Sequence, residues 1–411
     1  MLRWLIFIAI YMLIDIYAFQ AFKTVSKNKW IVNSYWIISV VVLGYFIYQL
    51  SVGFDRKVGL TLATGQAIGL FLIVFIPKIL VLIFMFGEDV IRGLQGFFTW
   101  ASQSKAADTS YFPSRRKFIS RMALVVAAIP FSSLLYGMYK GKYNYKVLKY
   151  ELEFDDLPKA FDGYRITQIS DIHSGSFDDK KKIEYGVDLI NQQQSDVILF
   201  TGDLVNNKAD EMLPWIDTFK KLTAKDGKFS ILGNHDYGDY IEWENEAAKA
   251  LNMKKLEQIH QQLGFDLLLN EHRYLEKNGE KIALVGVENW GAGGFKKAGD
   301  LQQASKNIKE TDFKILMSHD PSHWEKKVKS HKTHYHLTLS GHTHGMQFGI
   351  EIPGWIKWSP IKWRYKYWAG IYEEAGKIIN VNRGFGFLAY PGRVGIWPEI
   401  TVITLKKRII S

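Results

Sequence analysis

The chain predicts an α/β layered domain preceded by an all-α membrane region of about four helices. Three features carry that prediction. Long apolar stretches are confined to the first third. Short apolar runs alternate with helix-like segments over the remainder. Five of those runs end in Asp, His or Asn, often beside Gly. In an α/β sheet the carboxyl ends of the strands share one edge, where ligands bind.

The length of 411 residues suggests two or three domains. The absence of cysteine excludes a disulfide framework, thiolate metal sites and a cysteine nucleophile. Any metal must be held by His, Asp, Glu or Asn. Charged residues, at 23%, are near the globular average, so disorder is not expected. The net charge of +11 would point to nucleic acid or an anionic membrane surface if it were spread evenly. It is not. Residues 1–144 hold 15 Lys and Arg against 5 Asp and Glu, a net of +10. Residues 145–411 hold 37 against 36, a net of +1. No nucleic-acid partner is expected for the larger part. The cut at Asn144 separates a multi-span region, 1–144, from a second, larger domain, 145–411.

Residues 5–22, 31–50 and 68–86 are each about the ~20 residues that cross a bilayer as helix. A fourth stretch, 118–138, is less apolar and contains Arg121 and Pro130. A soluble bundle would show polar faces. The loops after the first and third spans carry eight cations: Lys23, Lys27, Lys29, Arg92, Lys105, Arg115, Arg116 and Lys117. The N-terminus and the second loop carry three: Arg3, Arg56 and Lys57. Cations favour the cytoplasmic side, so the second domain is expected on the outer, periplasmic face of the inner membrane. Residues 114–119, Ser-Arg-Arg-Lys-Phe-Ile, look like a twin-arginine export motif; an ordinary juxtamembrane basic cluster reads equally well. Asp15 and Lys78 each lie about ten residues into parallel spans. Unpaired charges at that depth are costly, so an Asp15–Lys78 pair is expected.

In the second part, residues 164–169, 196–200, 229–232, 282–287, 313–317, 335–339, 378–381 and 400–405 read as strands. Residues 180–193, 212–222 and 243–263 read as helices. The strand ends supply Asp171-x-His173, Gly202-Asp203, Gly233-Asn234-His235-Asp236, His319 and Gly341-His342-Thr343-His344. Each alone is explained by an N-cap or a turn. Five in one domain are not five independent caps. Oxygen and imidazole donors without thiolate suit Mn, Fe or Zn.

This ordered set resembles the calcineurin-like metallophosphoesterase family over residues 164–405, and its membrane-anchored bacterial branch through Ser-Gly-His-Thr-His-Gly-Met-Gln at 340–347 and Pro398-Glu399-Ile400. Met346 and His336 depart from that branch, which often has Gly and an acidic residue there. The resemblance implies a layered αββα sandwich and two divalent metal ions. It places Asp171, His173, Asp203 and His344 on the first metal. Asp203 would bridge to a second, held by Asn234, His319 and His342. It leaves His235 to face the leaving group as proton donor, with Asp236 setting its tautomer, and a metal-bridging hydroxide as nucleophile.

The other histidines read more simply. His260 and His272 are expected at the surface, His331, His334 and His336 as structural or surface residues, and His323 near the site. The 291–294 glycine loop lacks phosphate-loop spacing. Residues 355–368, WIKWSPIKWRYKYW, combine four cations and six aromatics without an acid. The bilayer interface selects that mixture. Trp355, Trp358, Lys362, Trp363 and Arg364 are therefore candidate contacts to the membrane bilayer or to a lipid-linked phosphate; the alternative is core aromatics with solvated cations. The expected function is hydrolysis of a phosphate ester or pyrophosphate on a membrane-associated substrate such as a phospholipid or a lipid A precursor, with manganese among the candidate metals. A nucleotide or nucleic-acid phosphodiesterase and a non-catalytic membrane scaffold are the alternatives.

Overall fold

A computed structural model describes residues 2–53, 57–102, 113–352 and 354–408. Arg56 and Lys105, two of the loop cations counted above, lie outside the described residues, as does the side chain of Ser114. The chain divides into two compact units: Met1–Val52 with Gln66–Tyr136, and Gly53–Gly65 with Gly137–Ser411. The division thus falls earlier than Asn144, and the second loop belongs to the second unit.

The first unit is built on α1 (Leu2–Val25), α2 (Lys29–Gly53), α3 (Leu62–Ala101) and α4 (Pro113–Tyr139). All four are long and apolar enough to cross a membrane. Their packed faces use small residues: Ala18, Ala21, Ala123 and Ala127 meet Val81 and Met85. Small side chains let helix backbones approach where apolar burial gives no drive against lipid. Leu13, Val41 and Ile83 stay on the outside. Helix α3 runs 40 residues, well past the apolar stretch read from the sequence. Arg92 therefore sits on a helix rather than in a loop, paired with Asp89 one turn earlier.

Lys78 Nζ lies 2.7 Å from Asp15 Oδ1, and both side chains are buried. Tyr35 and Ser39 each donate to the Asp15 carboxylate at 2.5 Å, and Lys78 donates to Tyr11 at 3.2 Å. Arg116 donates to Asp89 at 2.9 Å and to Gln20 at 2.7 Å. The second arginine of the twin-arginine-like pair is thus held inside the bundle.

The second unit carries fourteen strands among the described residues. In chain order they are β1 (Lys146–Phe154), β2 (Arg165–Ile169), β3 (Val197–Phe200), β4 (Lys228–Ser230), β5 (Asp266–Leu267), β6 (Glu271–Lys277) and β7 (Glu280–Gly286). Then come β8 (Lys314–Met317), β9 (Leu337–Ser340), β10 (Ile350–Ile352), β11 (Ile356–Trp358), β12 (Gly370–Glu374), β13 (Lys377–Val381) and β14 (Glu399–Lys407). One sheet has the order β1-β14-β2-β3-β4-β5 and the other β12-β13-β9-β8-β7-β6; β10 and β11 form a separate hairpin. Strands β2 to β5 pair in parallel, as do β7, β8, β9 and β13.

Side-chain alternation assigns the layers. Val197 and Leu199 join Ile315, Met317 and Leu339 in a core between the sheets. Ile198 and Phe200 point the other way, against Ile183, Val187 and Ile190 of α5 (Lys180–Asn191) and Leu256 and Ile259. Leu316 and Val285 face Trp324 and Val328 on the opposite outer side. Strand side chains alternate faces, so continuously apolar runs are buried on both. The result is a four-layer αββα sandwich. Polar cross-links join its sheets: Asn380 donates to Gln168 at 2.7 Å, and Asn382 donates to Thr401 at 2.8 Å.

Three expectations change. The 212–222 helix is a 3₁₀ segment, Ala209–Trp215, followed by the four-residue α6 (Ile216–Phe219). Pro214, inside the first piece, offers no N–H to an α-helical ladder. Strand β1 and the edge strands β6 and β12 went unread because their solvent faces are charged. His260, expected at the surface, is fully buried on α7 (Glu246–Gln262), with Nδ1 2.9 Å from Ser230 Oγ. His272 is half-buried, with Nδ1 2.9 Å from the Ala304 carbonyl oxygen.

Burial pushes the His260 imidazole down to about 3 from its ordinary 6.5. The unfolded chain therefore takes a proton below 6.5 that the folded chain refuses until about 3. Stability present above pH 6.5 falls as pH drops through that window, by up to about 1.4 kcal/mol per pH unit from this residue. The melting temperature of the full chain in detergent is expected to fall from pH 7 to pH 5, and His260→Gln to flatten that slope. An unchanged slope would contradict it.

Candidate metal centre

All the predicted site residues outside the membrane region and the 355–368 run lie where strands end. Asp171 and His173 follow β2, Asp203 follows β3, and Asn234, His235 and Asp236 follow β4. His319 follows β8, and His342 and His344 follow β9. Two sheets thus deliver ligands to one edge. The loops are tied to each other: Asp171 N–H donates to the Gly202 carbonyl at 2.9 Å, and Gly341 N–H to that of His319 at 2.8 Å.

The donors collect into two groups, Asp171, His173 and His344, and Asp203, His319 and His342, the donor atoms within each lying within 4.8 Å of one another. Asp203 Oδ2 touches both. It lies 3.1 Å from His319 Nε2 and 3.6 Å from His173 Nε2. His344 Nε2 is 3.2 Å from Asp171 Oδ1. Asn234 Oδ1 is 2.7 Å from His342 Nδ1, which is 3.3 Å from His319 Nε2.

This convergence is forced on the backbone. Asp171, His173, Asp203, His342 and His344 all have positive φ, between 50° and 72°. Residues with a Cβ avoid that region at a cost of about 1–2 kcal/mol each. Five strained residues among seven predicted ligands mark a site held by its surroundings. Glycine is required at two neighbouring points. A Cβ on Gly341 would collide with Ser170 and Asp171, and one on Gly202, at φ 94°, with the Gly233 backbone.

Hydrogen bonds set the ring tautomers. A carbonyl oxygen only accepts, so His319 Nδ1 donates to Thr201 O at 2.7 Å and turns Nε2 toward Asp203. His342 Nε2 is 2.8 Å from Tyr365 Oη, which donates to Asp320 at 3.4 Å. His342 Nδ1 is thereby left for the centre. Arg393, fully buried, donates to the carbonyls of Arg383 and Gly386 at 2.7 and 2.6 Å and lies 3.1 Å from His344 Nδ1.

Asp236 does not set the tautomer of His235. Its carboxylate accepts from the N–H groups of Gly233, Asp203, Leu204 and Val205. It is a brace for the Asp203 loop, and burial beside Asp203 pushes it up to about 7. The His235 ring is oriented by the carbonyl of Asn206, 2.7 Å from Nδ1, and stacks on Tyr240 with centroids 4.3 Å apart. Its Nδ1 therefore donates to that carbonyl.

The electrostatics suit cations. Burial would raise the Asp203 carboxyl, but His319 and His235 outweigh it and hold it well below the usual range. Burial would lower His319, but Asp203 pushes it up to about 10. Burial and His344 push His173 well down. Both ring nitrogens of His173, and Nε2 of His344, are buried without a hydrogen-bond partner. Buried polar atoms are nearly always satisfied. Orphaned imidazole nitrogens facing two ionised carboxylates, with no thiol present, fit divalent metal ions.

The remaining predictions divide. Strands β10 and β11 pair as a hairpin, and Trp355 and Trp363 are each 76% exposed. Trp358 is half-buried and packs edge-on against Trp363. Tyr365, Tyr367 and Trp368 are core. His323 bonds Ser318, beside His319, at 2.8 Å. His336 is buried 2.6 Å from Asp156. Sequence reading passed over Tyr365, Arg393 and Asn206 as site-building residues. The lone arginine between Gly392 and Gly395 was the only signal for Arg393.

Comparison with known proteins places the chain in a family. Residues 164–346 match the model of the calcineurin-like phosphoesterases, and residues 2–142 that of a probable calcineurin-like phosphoesterase transmembrane domain. The chain is 30% identical over 299 residues to an uncharacterised metallophosphoesterase, YkuE, of Bacillus subtilis, covering 71% of this chain and 98% of that one. It is 26% identical to a transmembrane protein with metallophosphoesterase domain from Danio rerio, covering 70% of this chain and 62% of the relative. Among solved structures, the phosphopantetheinyl hydrolase of Mycobacterium tuberculosis aligns over 54% of this chain and 89% of that one, at 10% identity and a TM-score of 0.33.

Proposed function

Because the chain belongs to the calcineurin-like phosphoesterase family, and so is a metal-dependent hydrolase of phosphoester bonds, we propose that it acts on a membrane-associated phosphate ester with two divalent cations. The observation that carries the proposal is the Asp203 carboxylate shared between two His/Asp clusters, one of which holds buried imidazole nitrogens without a hydrogen-bond partner.

Asp171, His173, Asp203 and His344 would hold one cation, and Asp203, Asn234, His319 and His342 the other. Bound there, such ions supply Lewis acidity on phosphoryl oxygens and water that ionises near neutral pH. The chain supplies the rest. Asn234, being neutral, limits negative charge where a phosphate anion must enter. His235 sits beside this group, its ring centroid 4.9 Å from that of His173. With Nδ1 tied to Asn206, its Nε2 is positioned to hand a proton to the leaving oxygen. Asp236 ties the loop that carries Asp203 to the loop that carries His235.

Two features support a membrane-borne substrate: four apolar helices in the same chain, and the exposed Trp355 and Trp363 on the catalytic unit. Loop charge supports a periplasmic position for that unit. A nucleotide phosphodiesterase would use the same centre; the near-neutral charge of the domain disfavours long nucleic acids.

Full-length protein in detergent with Mn²⁺ is expected to hydrolyse bis(p-nitrophenyl) phosphate. His235→Ala is expected to lower kcat by about 10²–10⁴-fold while metal content holds. Full activity in that variant would remove His235 from the chemistry. No turnover by the wild type with any divalent metal would favour the scaffold. For sidedness, alkaline phosphatase fused at the C-terminus should be active in cells; a fusion active only as a cytoplasmic reporter would reverse the orientation.

A further inference from the structure

Beside the metal centre lies a cleft of about 630 Å³, walled by Gly293, Glu325, Lys326 and residues 362–366. Four cations line it, Lys326, Lys362, Arg364 and Lys366, against the single carboxylate of Glu325. Two of the cations are already paired. Lys366 lies 2.6 Å from Glu374, and Lys326 lies 3.8 Å from Glu325. Lys362 and Arg364 have no carboxylate within ion-pair distance among the described residues. Both are exposed to the cleft.

Arg364 is nevertheless held in place. Its guanidinium lies over the Phe295 ring at 5.2 Å and the Tyr365 ring at 5.6 Å. Stacking uses the flat face of the group and leaves its N–H edge for a ligand. The same two aromatics reach the metal centre. Phe295 stands edge-on to His342 with centroids 4.8 Å apart, and Tyr365 Oη is 2.8 Å from His342 Nε2. The cationic cleft is thus one side chain away from a predicted metal ligand. A planar donor fork and a flexible ammonium, both unpaired in a concave site, are matched to phosphate oxygens.

We propose that Lys362 and Arg364 form an anion subsite for a second phosphate of the substrate, adjoining the one that reacts. The inference rests on the phosphoesterase reading and narrows its substrate class to phosphoesters bearing a further anionic group, of which a pyrophosphate diester is the simplest. In its hydrolysis the water oxygen bonds to one phosphorus and the bond from that phosphorus to the bridging oxygen breaks. The two protons of water are shared between the two monoester products and solvent. A lipid and a soluble nucleotide both offer such a second phosphate; the subsite reads the phosphate alone.

The test uses full-length protein in detergent with Mn²⁺ and three substrates: soluble ADP-ribose, micellar CDP-diacylglycerol and singly charged bis(p-nitrophenyl) phosphate. The quantity read is kcat/KM for each pyrophosphate relative to the singly charged diester. Combining Lys362→Ala with Arg364→Ala is expected to lower that ratio about tenfold or more, mainly through KM, and to weaken its salt dependence. Lys362→Arg with Arg364→Lys should restore most of it. Wild-type turnover of the micellar substrate but not ADP-ribose would assign the phosphate to a lipid; the reverse would assign it to a nucleotide. An unchanged ratio, in a variant of unchanged melting temperature, would overturn the subsite. Wild-type protein that turns over none of the three would overturn the phosphoesterase reading instead. The subsite would then be decided by calorimetric binding of ADP-ribose: loss of binding in the double variant supports it, and equal binding removes it.

Discussion

The Asp203 carboxylate is the point on which this structure turns. One oxygen accepts the His235 N–H at 2.8 Å; the other faces His319 and His173. The backbone N–H of Asp203 is in turn held by Asp236. A single residue therefore joins two groups of candidate ligands, the proposed proton donor and the brace beneath them. Its φ of 61° shows that this position is imposed by the surroundings rather than chosen by the residue. Gly202, on one side of it in the chain, and Gly233, packed against its carboxylate, leave no room for a side chain.

Such strain persists only on a rigid base. The two sheets supply it through a core sealed on both faces and through the polar cross-links of Gln168, Asn380, Asn382 and Thr401. Gln168 also donates to the Ser340 carbonyl at 2.9 Å, just before the Gly341 turn. The cross-links thus lie one or two residues from the ligand loops of both sheets. Arg393 plays a comparable part on the other side, tying the carbonyls of residues 383 and 386 under His344. Position at the centre is a property of the sandwich, and the chemistry depends on that position.

Much of this was legible in the sequence. Buried parallel strands announce themselves as short apolar runs, and a ligand edge announces itself as polar residues after each run. That is why the strands around residues 166–200 and 314–340 could be read directly, and why the polar residues that follow them could be named as candidate ligands. What went unread depends on contacts made only in three dimensions. His260 looks like a surface residue on a charged helix, yet its face of α7 packs against Phe200 and Phe265. Asp236 follows His235 in the chain, so adjacency suggested a partnership. The turn instead sends its side chain down to four backbone N–H groups and leaves His235 to Asn206. Tyr365 lay inside the aromatic run 355–368, whose composition spoke of interfaces; the fold splits that run into exposed tryptophans and a buried tyrosine that orients His342.

The claim that two cations share Asp203 is open to direct observation. Crystals of the full chain loaded with Mn²⁺ and measured on both sides of the manganese absorption edge should show two anomalous peaks, about 3.5–4 Å apart. They should flank Asp203 Oδ2, with His173 and His344 on one side and His319, His342 and Asn234 on the other. A single peak, or peaks that leave Asp203 without a cation, would contradict it.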